Sequence, residues 1–182
     1  MLEKKIPNKL FLFLDLIRFK KPIGFLLLMW PCWFAIACID QNLLKNIKWY
    51  FYFAIGSFLM RSAGCIINDI IDIKLDAKVQ RTQNRPLVTG KISKKEAVIF
   101  LLILLFFSFL VLLQFNYLAI LIGISIIPLV VIYPFMKRIT HFPQFFLGLI
   151  FNWGILVVSY NFLNSVNLLF IILYIGCIFW TL

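Results

Sequence analysis

The chain has 182 residues, of which 63% are hydrophobic and only 14% are charged, and its mean hydropathy is +1.00. Soluble globular domains contain about 45–50% apolar and about 25% charged residues, so this composition excludes that class. The formal net charge of +11 raises the question of an anionic partner such as nucleic acid or a membrane surface.

Six apolar runs follow one another along the chain, and each approaches the roughly 20 residues that a helix needs to cross a bilayer. They comprise residues 23–39, 49–67, 97–113, 118–133, 145–160 and 166–182. Hydrophobicity within them is continuous rather than alternating, which predicts helices and not strands. We therefore expect an all-α, polytopic transmembrane helical bundle of about six spans, forming a single integral membrane domain over residues 1–182.

The basic residues alternate between the connections. Six Lys and Arg residues precede the first run and seven lie in the connection 68–96, whereas the connections after the third and fifth runs contain none. This alternation is the positive-inside pattern, which places the amino terminus and residues 68–96 in the cytoplasm. The distribution of basic residues is therefore explained by insertion into a lipid bilayer and argues against nucleic acid as a partner. A bacterial inner membrane is the expected location.

Scarce acidic residues gather where the second run ends. Asp69, Asp72 and Asp76 are spaced i, i+3, i+7, and Asn68 stands four residues before Asp72. If the helix continues past residue 67, these side chains share one face, with Arg61 two turns deeper on it. An arginine within a span costs about 2.5–3.5 kcal/mol unless it is paired or faces a cavity. The pattern predicts a carboxylate stripe above a buried cation, although a solvated helix end is the plainer alternative.

Asp69, Asp72 and Asp76 offer only oxygen ligands, which favour a hard cation. Mg²⁺ takes a few carboxylates, keeps waters and binds substrate phosphate oxygens. Zinc would need His or Cys ligands, which this stretch lacks. We therefore predict a magnesium-bridged phosphate or diphosphate, and the place of the stripe at a membrane surface predicts a substrate with a lipid tail.

Two later segments carry basic side chains. Arg81 and Arg85 lie in residues 81–90, and guanidinium groups match the geometry of phosphate oxygens. Lys137 and Arg138 lie between the fourth and fifth runs, where they can meet a phosphate or a carboxylate. The alternative for both pairs is topological charge on the cytoplasmic side.

Three segments together resemble the UbiA-type membrane prenyltransferases, in particular those that act on 4-hydroxybenzoate in ubiquinone biosynthesis. The segments read RSAGCIINDIIDIKLD at 61–76, RTQNRPLVTG at 81–90 and YPFMKRITHFPQ at 133–144. The resemblance implies that Mg²⁺ on Asp69, Asp72 and Asp76, assisted by Asn68, binds a polyprenyl diphosphate. The ring carbon of 4-hydroxybenzoate that lies ortho to the hydroxyl group would then attack the allylic carbon of the prenyl chain. The substrate-binding residues that it implies are Arg61, Arg81, Asn84, Arg85, Tyr133, Lys137 and Arg138.

The chain departs from that family pattern in one respect. The resemblance implies about nine helices and two aspartate-rich motifs, but here six runs carry one motif and no Asp or Glu follows Glu96. We expect the first two-thirds of the family fold, incomplete at its C-terminus, with impaired activity alone and a separate C-terminal fragment as a partner. The alternatives are an inactive or split-gene fragment, a small membrane carrier, or another aromatic acceptor. A CDP-alcohol phosphotransferase is less favoured, because Ile73 stands where that motif needs glycine.

Overall fold

A computed structural model describes residues 8–39 and 43–182, and within these ranges the regular structure is entirely helical. The side chains of residues 43, 137 and 138 lie outside the description. The helices are α1 Lys9–Leu16, α2 Ile23–Ile39, α3 Leu43–Asp76, α4 Lys94–Leu112, α5 Tyr117–Ser125, α6 Ile127–Ile139, α7 Pro143–Asn152, α8 Gly154–Leu163 and α9 Leu168–Thr181. The predicted fold class is confirmed.

The six predicted spans correspond to six apolar helical segments. Four of these are long and apolar enough to cross a membrane: Leu44–Asp76, Lys94–Leu112, Tyr117–Met136 and Pro143–Leu163. Two shorter apolar helices, α2 and α9, supply the remaining runs. The third of the long segments combines α5 with α6, and the fourth combines α7 with α8, so the apolar pattern located the spans and not their internal breaks.

The breaks have local causes. Pro128 lies in the first turn of α6, where its missing N–H and fixed φ suit the start of a new helix after Ile126. Trp153 separates α7 from α8 and donates its indole N–H to the carbonyl of Ile122 at 2.9 Å. The tryptophan at one break therefore bonds to the other interrupted segment, four residues before that segment's own break at Ile126.

Helix α3 is longer than the hydrocarbon core of a bilayer and carries the aspartate-rich stretch at its carboxyl end. Its 34 residues span about 51 Å at 1.5 Å per residue, against a hydrocarbon core of about 30 Å. The helix continues past residue 67 to Asp76, as the spacing of the aspartates required. Residues 77–93 form turns, and α4 then begins at Ser93 with a capping box, in which Ser93 and Glu96 bond reciprocally.

The packing of the helices places α1 beside the end of α3. Helix α3 contacts α1, α2, α4 and α6, and α2 also contacts α7 and α8. Leu16, at the end of α1, is fully buried in a cluster with Ile66 of α3, Ile92 and Leu104. This cluster fixes the connection between α1 and α2 against the last turns of α3.

Candidate functional site

Two cavities adjoin along α3. The polar cavity has a volume of about 540 Å³ and lies at the end of α3 that carries the aspartates. The apolar cavity has a volume of about 360 Å³ and extends along α3 as far as Tyr52. The residues that line both cavities are Arg61, Asn68, Tyr133, Leu147 and Phe151. The polar cavity and the apolar cavity therefore share one wall.

The polar cavity is lined by more positive than negative charge. Its described lining contains four arginines and two aspartates, which leaves a formal charge of +2: Arg18, Arg61, Arg81, Arg85, Asp72 and Asp76. A concave surface with one dominant sign of charge concentrates ligands of the opposite sign. This lining favours an anion with several oxygen acceptors, because guanidinium groups donate in a fork that matches phosphate and carboxylate.

Arginines hold Asp69 and Asp76. Asp69 is only 3% exposed, and its Oδ1 atom accepts hydrogen bonds from Arg18 at 2.6 Å and from Arg85 at 2.9 Å. Arg85 also donates to Asp76. Buried carboxylates are costly unless they are paired in this way. Burial by itself lowers the pKa of Arg18, but the charges of Asp69, Cys65 and Asp76 and the hydrogen bond to Asp69 together raise it overall, so the guanidinium stays protonated.

Arg18 lines the polar cavity but was not predicted as a site residue. From the sequence it was treated only as one of the basic residues that set the membrane orientation. It directly follows the α1 C-cap, where the Phe19 N–H donates to the Leu14 carbonyl and the Arg18 N–H to the Asp15 carbonyl. These two bonds form a Schellman motif. Arg18 occupies its left-handed position with φ +58°, a place usually taken by glycine. No helix was predicted from the sequence over residues 9–16, so an arginine at the end of that helix could not be singled out.

The donor set on the cavity wall fits magnesium. Asn68 and Asp72 line the polar cavity, and the buried Oδ1 atom of Asn68 accepts no hydrogen bond from any described residue. Within the described residues, no three His, Cys, Asp or Glu side chains are grouped to hold a metal ion. Mg²⁺ does not require such a cage, since it takes one or two carboxylates together with waters and substrate phosphates. Oxygen atoms of Asn68, Asp72 and Asp76 are the candidates.

Arg61 lies at the junction of the two cavities. Its guanidinium stands 5.4 Å from the ring centroid of Phe151, a cation–π contact. It also packs against Gly24, where an added Cβ atom would overlap with it. An arginine within a span was expected to face a cavity or a partner, and it faces both cavities.

The remaining candidate residues lie in different surroundings. Tyr133 is half-buried on the wall that the two cavities share, and Arg81 is exposed at the rim of the polar cavity. Asn84 is exposed in the turns after α3, outside the described lining of either cavity. Lys137 and Arg138 belong to the last turn of α6, and their side chains lie outside the described part of the chain.

Curated relatives with high sequence identity are similar to this chain over most of its length. A mitochondrial 4-hydroxybenzoate polyprenyltransferase of Dictyostelium discoideum is 43% identical over 98% of this chain and 39% of its own. The 4-hydroxybenzoate octaprenyltransferase of Shewanella pealeana is 45% identical over 81% of this chain and 51% of its own. The enzyme of that name from Vibrio parahaemolyticus is 48% identical over 78% and 49%. The chain thus spans about two-fifths to half the length of these relatives.

A family model and a solved structure agree with these similarities. The model of the UbiA prenyltransferase family matches residues 28–182. A structure of digeranylgeranylglyceryl phosphate synthase in membranes superposes with a TM-score of 0.72 at 25% identity, over 95% of this chain and 60% of that one. The similarity covers the helices that form both cavities.

Proposed function

Because the chain belongs to the UbiA prenyltransferase family, we propose that it acts in the magnesium-dependent transfer of a polyprenyl group from polyprenyl diphosphate to the ring of 4-hydroxybenzoate. The observation that carries the proposal is the junction of an arginine-lined polar cavity with an apolar cavity. A polyprenyl diphosphate has the same division, with a charged head on a hydrocarbon tail. The names of the relatives supply the aromatic acceptor.

The diphosphate head belongs in the polar cavity. Arg61, Arg81 and Arg85 line it, and their guanidinium groups suit phosphate oxygens. The polar cavity includes residues at the carboxyl end of α3, and α3 is longer than a hydrocarbon core of about 30 Å, so we infer that a headgroup there stays outside the membrane core. We place this side of the membrane in the cytoplasm, on the basic residues of the connections.

The polyprenyl tail belongs in the apolar cavity. Along α3, the sixteen residue steps from Asn68 back to Tyr52 correspond to about 24 Å, and both residues line this cavity. Its far part is lined by aromatic rings, among them Phe53 and Phe115, whose centroids lie 4.9 Å apart. An extended isoprenoid chain lying along α3 would bury its surface against these rings.

Magnesium would be held by oxygen atoms of Asn68, Asp72 and Asp76 together with the diphosphate. When bound, the ion neutralises charge on the departing diphosphate. The unpartnered Oδ1 atom of Asn68 supports this assignment. Asp69 was predicted as a further metal ligand, and that role stays a prediction, since Asp69 is not part of the described lining of the polar cavity.

The chain's own residues supply binding and charge stabilisation. As the bond between the prenyl C1 atom and oxygen breaks, the arginines of the polar cavity stabilise the charge that develops on the diphosphate. The aromatic and aliphatic wall of the apolar cavity keeps water from the allylic cation. The acceptor ring forms the new carbon–carbon bond and then loses its proton to the diphosphate or to water.

The test is a turnover assay in membranes that lack their own prenyltransferase. We would supply Mg²⁺, a polyprenyl diphosphate and labelled 4-hydroxybenzoate, with the Shewanella pealeana relative as the positive control. Because activity of this chain alone is expected to be impaired, we expect a small amount of prenylated product that disappears in Asp72→Asn and persists in Asp15→Asn, a matched loss of an exposed carboxylate on α1. Equal product from both variants would contradict the proposed site.

Two other outcomes separate the alternatives. Product with homogentisate but not with 4-hydroxybenzoate would keep the reaction class and change the acceptor. Absence of product with either acceptor, from inserted chain that also fails to bind the prenyl diphosphate, would favour a membrane fragment without a substrate site.

A further inference from the structure

We propose that Arg18 is a positioning residue for the diphosphate site, which acts through Asp69 to hold the Arg85 guanidinium on the wall of the polar cavity. This inference rests on the proposed function, because it concerns how the chain prepares the same cavity for a diphosphate. It assigns Asp69 the role of an anchor between two arginines.

The geometry joins three side chains through one atom. Asp69 Oδ1 accepts from Arg18 Nη2 at 2.6 Å and from Arg85 Nη1 at 2.9 Å, and the same Arg85 nitrogen donates to Asp76. Because Asp69 is almost wholly buried, its position is set by α3 and not by solvent. Arg18 and Arg85 both line the polar cavity. Their mutual repulsion is relieved by the carboxylate between them, which keeps two cations side by side.

The charge of this group depends on Arg18. Arg18, Arg85, Asp69 and Asp76 are formally neutral together, whereas without Arg18 the other three carry a net charge of −1. A negative group beside the cavity would repel a diphosphate and draw Arg85 towards the two carboxylates. Arg18 thus leaves Arg85 with donor capacity for a ligand.

The backbone at Arg18 supports a role for its side chain. The left-handed position of a Schellman motif disfavours residues with a Cβ atom, and glycine is usual there. Such conformations persist where surrounding contacts over-determine them, and they gather at functional sites. Here the adjoining Leu16 is fully buried and Ile17 nearly so. The packing of Leu16 and Ile17 therefore fixes the backbone from which the Arg18 side chain extends.

The test compares variants of Arg18 in the full chain, in lipid nanodiscs, by the affinity for inorganic pyrophosphate with Mg²⁺ and by the thermal unfolding midpoint. For Arg18→Gly we expect about ten-fold weaker binding, which corresponds to about 1.4 kcal/mol, with little change in the midpoint because glycine suits the backbone there. Arg18→Lys should recover part of the affinity, since an ammonium group restores the charge and not the fork. Lys20→Gln, an exposed matched loss of charge, should bind within about two-fold of the parent chain.

A second background distinguishes positioning from direct contact. If Arg18 acts through Asp69, Arg18→Gly should have almost no further effect on pyrophosphate affinity in an Asp69→Asn chain. An undiminished effect in that background would overturn the inference, because Arg18 would then bind the ligand itself. Parent-like binding by Arg18→Gly, with weakened binding by Arg85→Gln, would also overturn it and leave the proposed function standing. Parent-like binding by Arg85→Gln would count against the diphosphate site as a whole.

Discussion

The guanidinium of Arg61 packs so closely against Gly24 that a Cβ atom on residue 24 would lie 2.9 Å from its Nη2 atom. Gly24 belongs to the first turn of α2, and Arg61 projects from the middle of α3. The missing side chain at residue 24 is thus what lets an arginine occupy the junction of the two cavities. The contact links a residue without functional groups to Arg61, the one Lys or Arg within the six apolar runs of the sequence.

Gly24→Ala is expected to displace Arg61 and leave the fold intact. The methyl group would meet the flexible end of a side chain, which moves more easily than backbone. Because small misplacements of positioning groups are costly, we expect prenyl transfer to fall roughly ten-fold or more. Gly176→Ala is the matched control, since no described atom lies within 4 Å of a Cβ there. Parent-like turnover in Gly24→Ala would show that the position of Arg61 is unimportant.

Gly56→Leu is expected to shorten the prenyl chain that the protein accepts. Gly56 lines the apolar cavity, so a leucine side chain would occupy part of the space assigned to the tail. Competition assays should show weaker binding of long polyprenyl diphosphates and unchanged binding of inorganic pyrophosphate. Gly56→Ala is the control, because its Cβ atom would make an ordinary 3.7 Å contact with Val111. Parent-like binding of the long polyprenyl diphosphates by the leucine variant would place the tail elsewhere.

Asp72→Asn and Asp69→Asn are expected to differ in their response to Mg²⁺. Asp72 belongs to the described lining of the polar cavity, whereas Asp69 does not and is only 3% exposed. A metal titration of turnover should therefore show a higher half-saturating Mg²⁺ concentration for Asp72→Asn. In Asp69→Asn the KM for the prenyl diphosphate should rise instead, because Arg85 loses its anchor. A comparable change in Mg²⁺ requirement in both variants would favour the original prediction of Asp69 as a metal ligand.

Asn116 is expected to stabilise the bundle through two separable interactions. Its Oδ1 atom caps α5 by accepting from the Ala119 N–H at 2.8 Å, and its Nδ2 atom donates to the Tyr160 carbonyl at 2.7 Å. Asn116→Ser keeps a capping oxygen and loses the donor to α8, whereas Asn116→Ala loses both. We expect losses of about 1 kcal/mol for serine and about 2 kcal/mol for alanine. Thermal unfolding in one detergent would test the order, and equal losses would show that the cap contributes nothing.

Much of the architecture was predictable because its causes are local or belong to the bilayer. A membrane span needs an apolar run of known length. The six apolar runs of the sequence, of which residues 23–39 are the first, correspond to six apolar helical segments. The spacing of Asp69, Asp72 and Asp76 placed them along one helix, which continues to Asp76 as expected. Helical periodicity also put Arg61 below them, and the insertion cost of a charge indicated that it would face a cavity or a partner.

The amino-acid sequence alone therefore determined the spans, the helix that carries the aspartates and the chemical types gathered at its end. Tertiary structure alone decided which arginine meets which aspartate: Arg18 reaches Asp69 across 51 positions of the chain. It also turned Asp69 towards arginines, while Asp72 remained on the cavity wall. The physical reason is that periodicity fixes only the face of a helix on which a side chain lies. The partner of that side chain depends on the neighbouring helix, and here Arg18 at the end of α1 is the partner of Asp69.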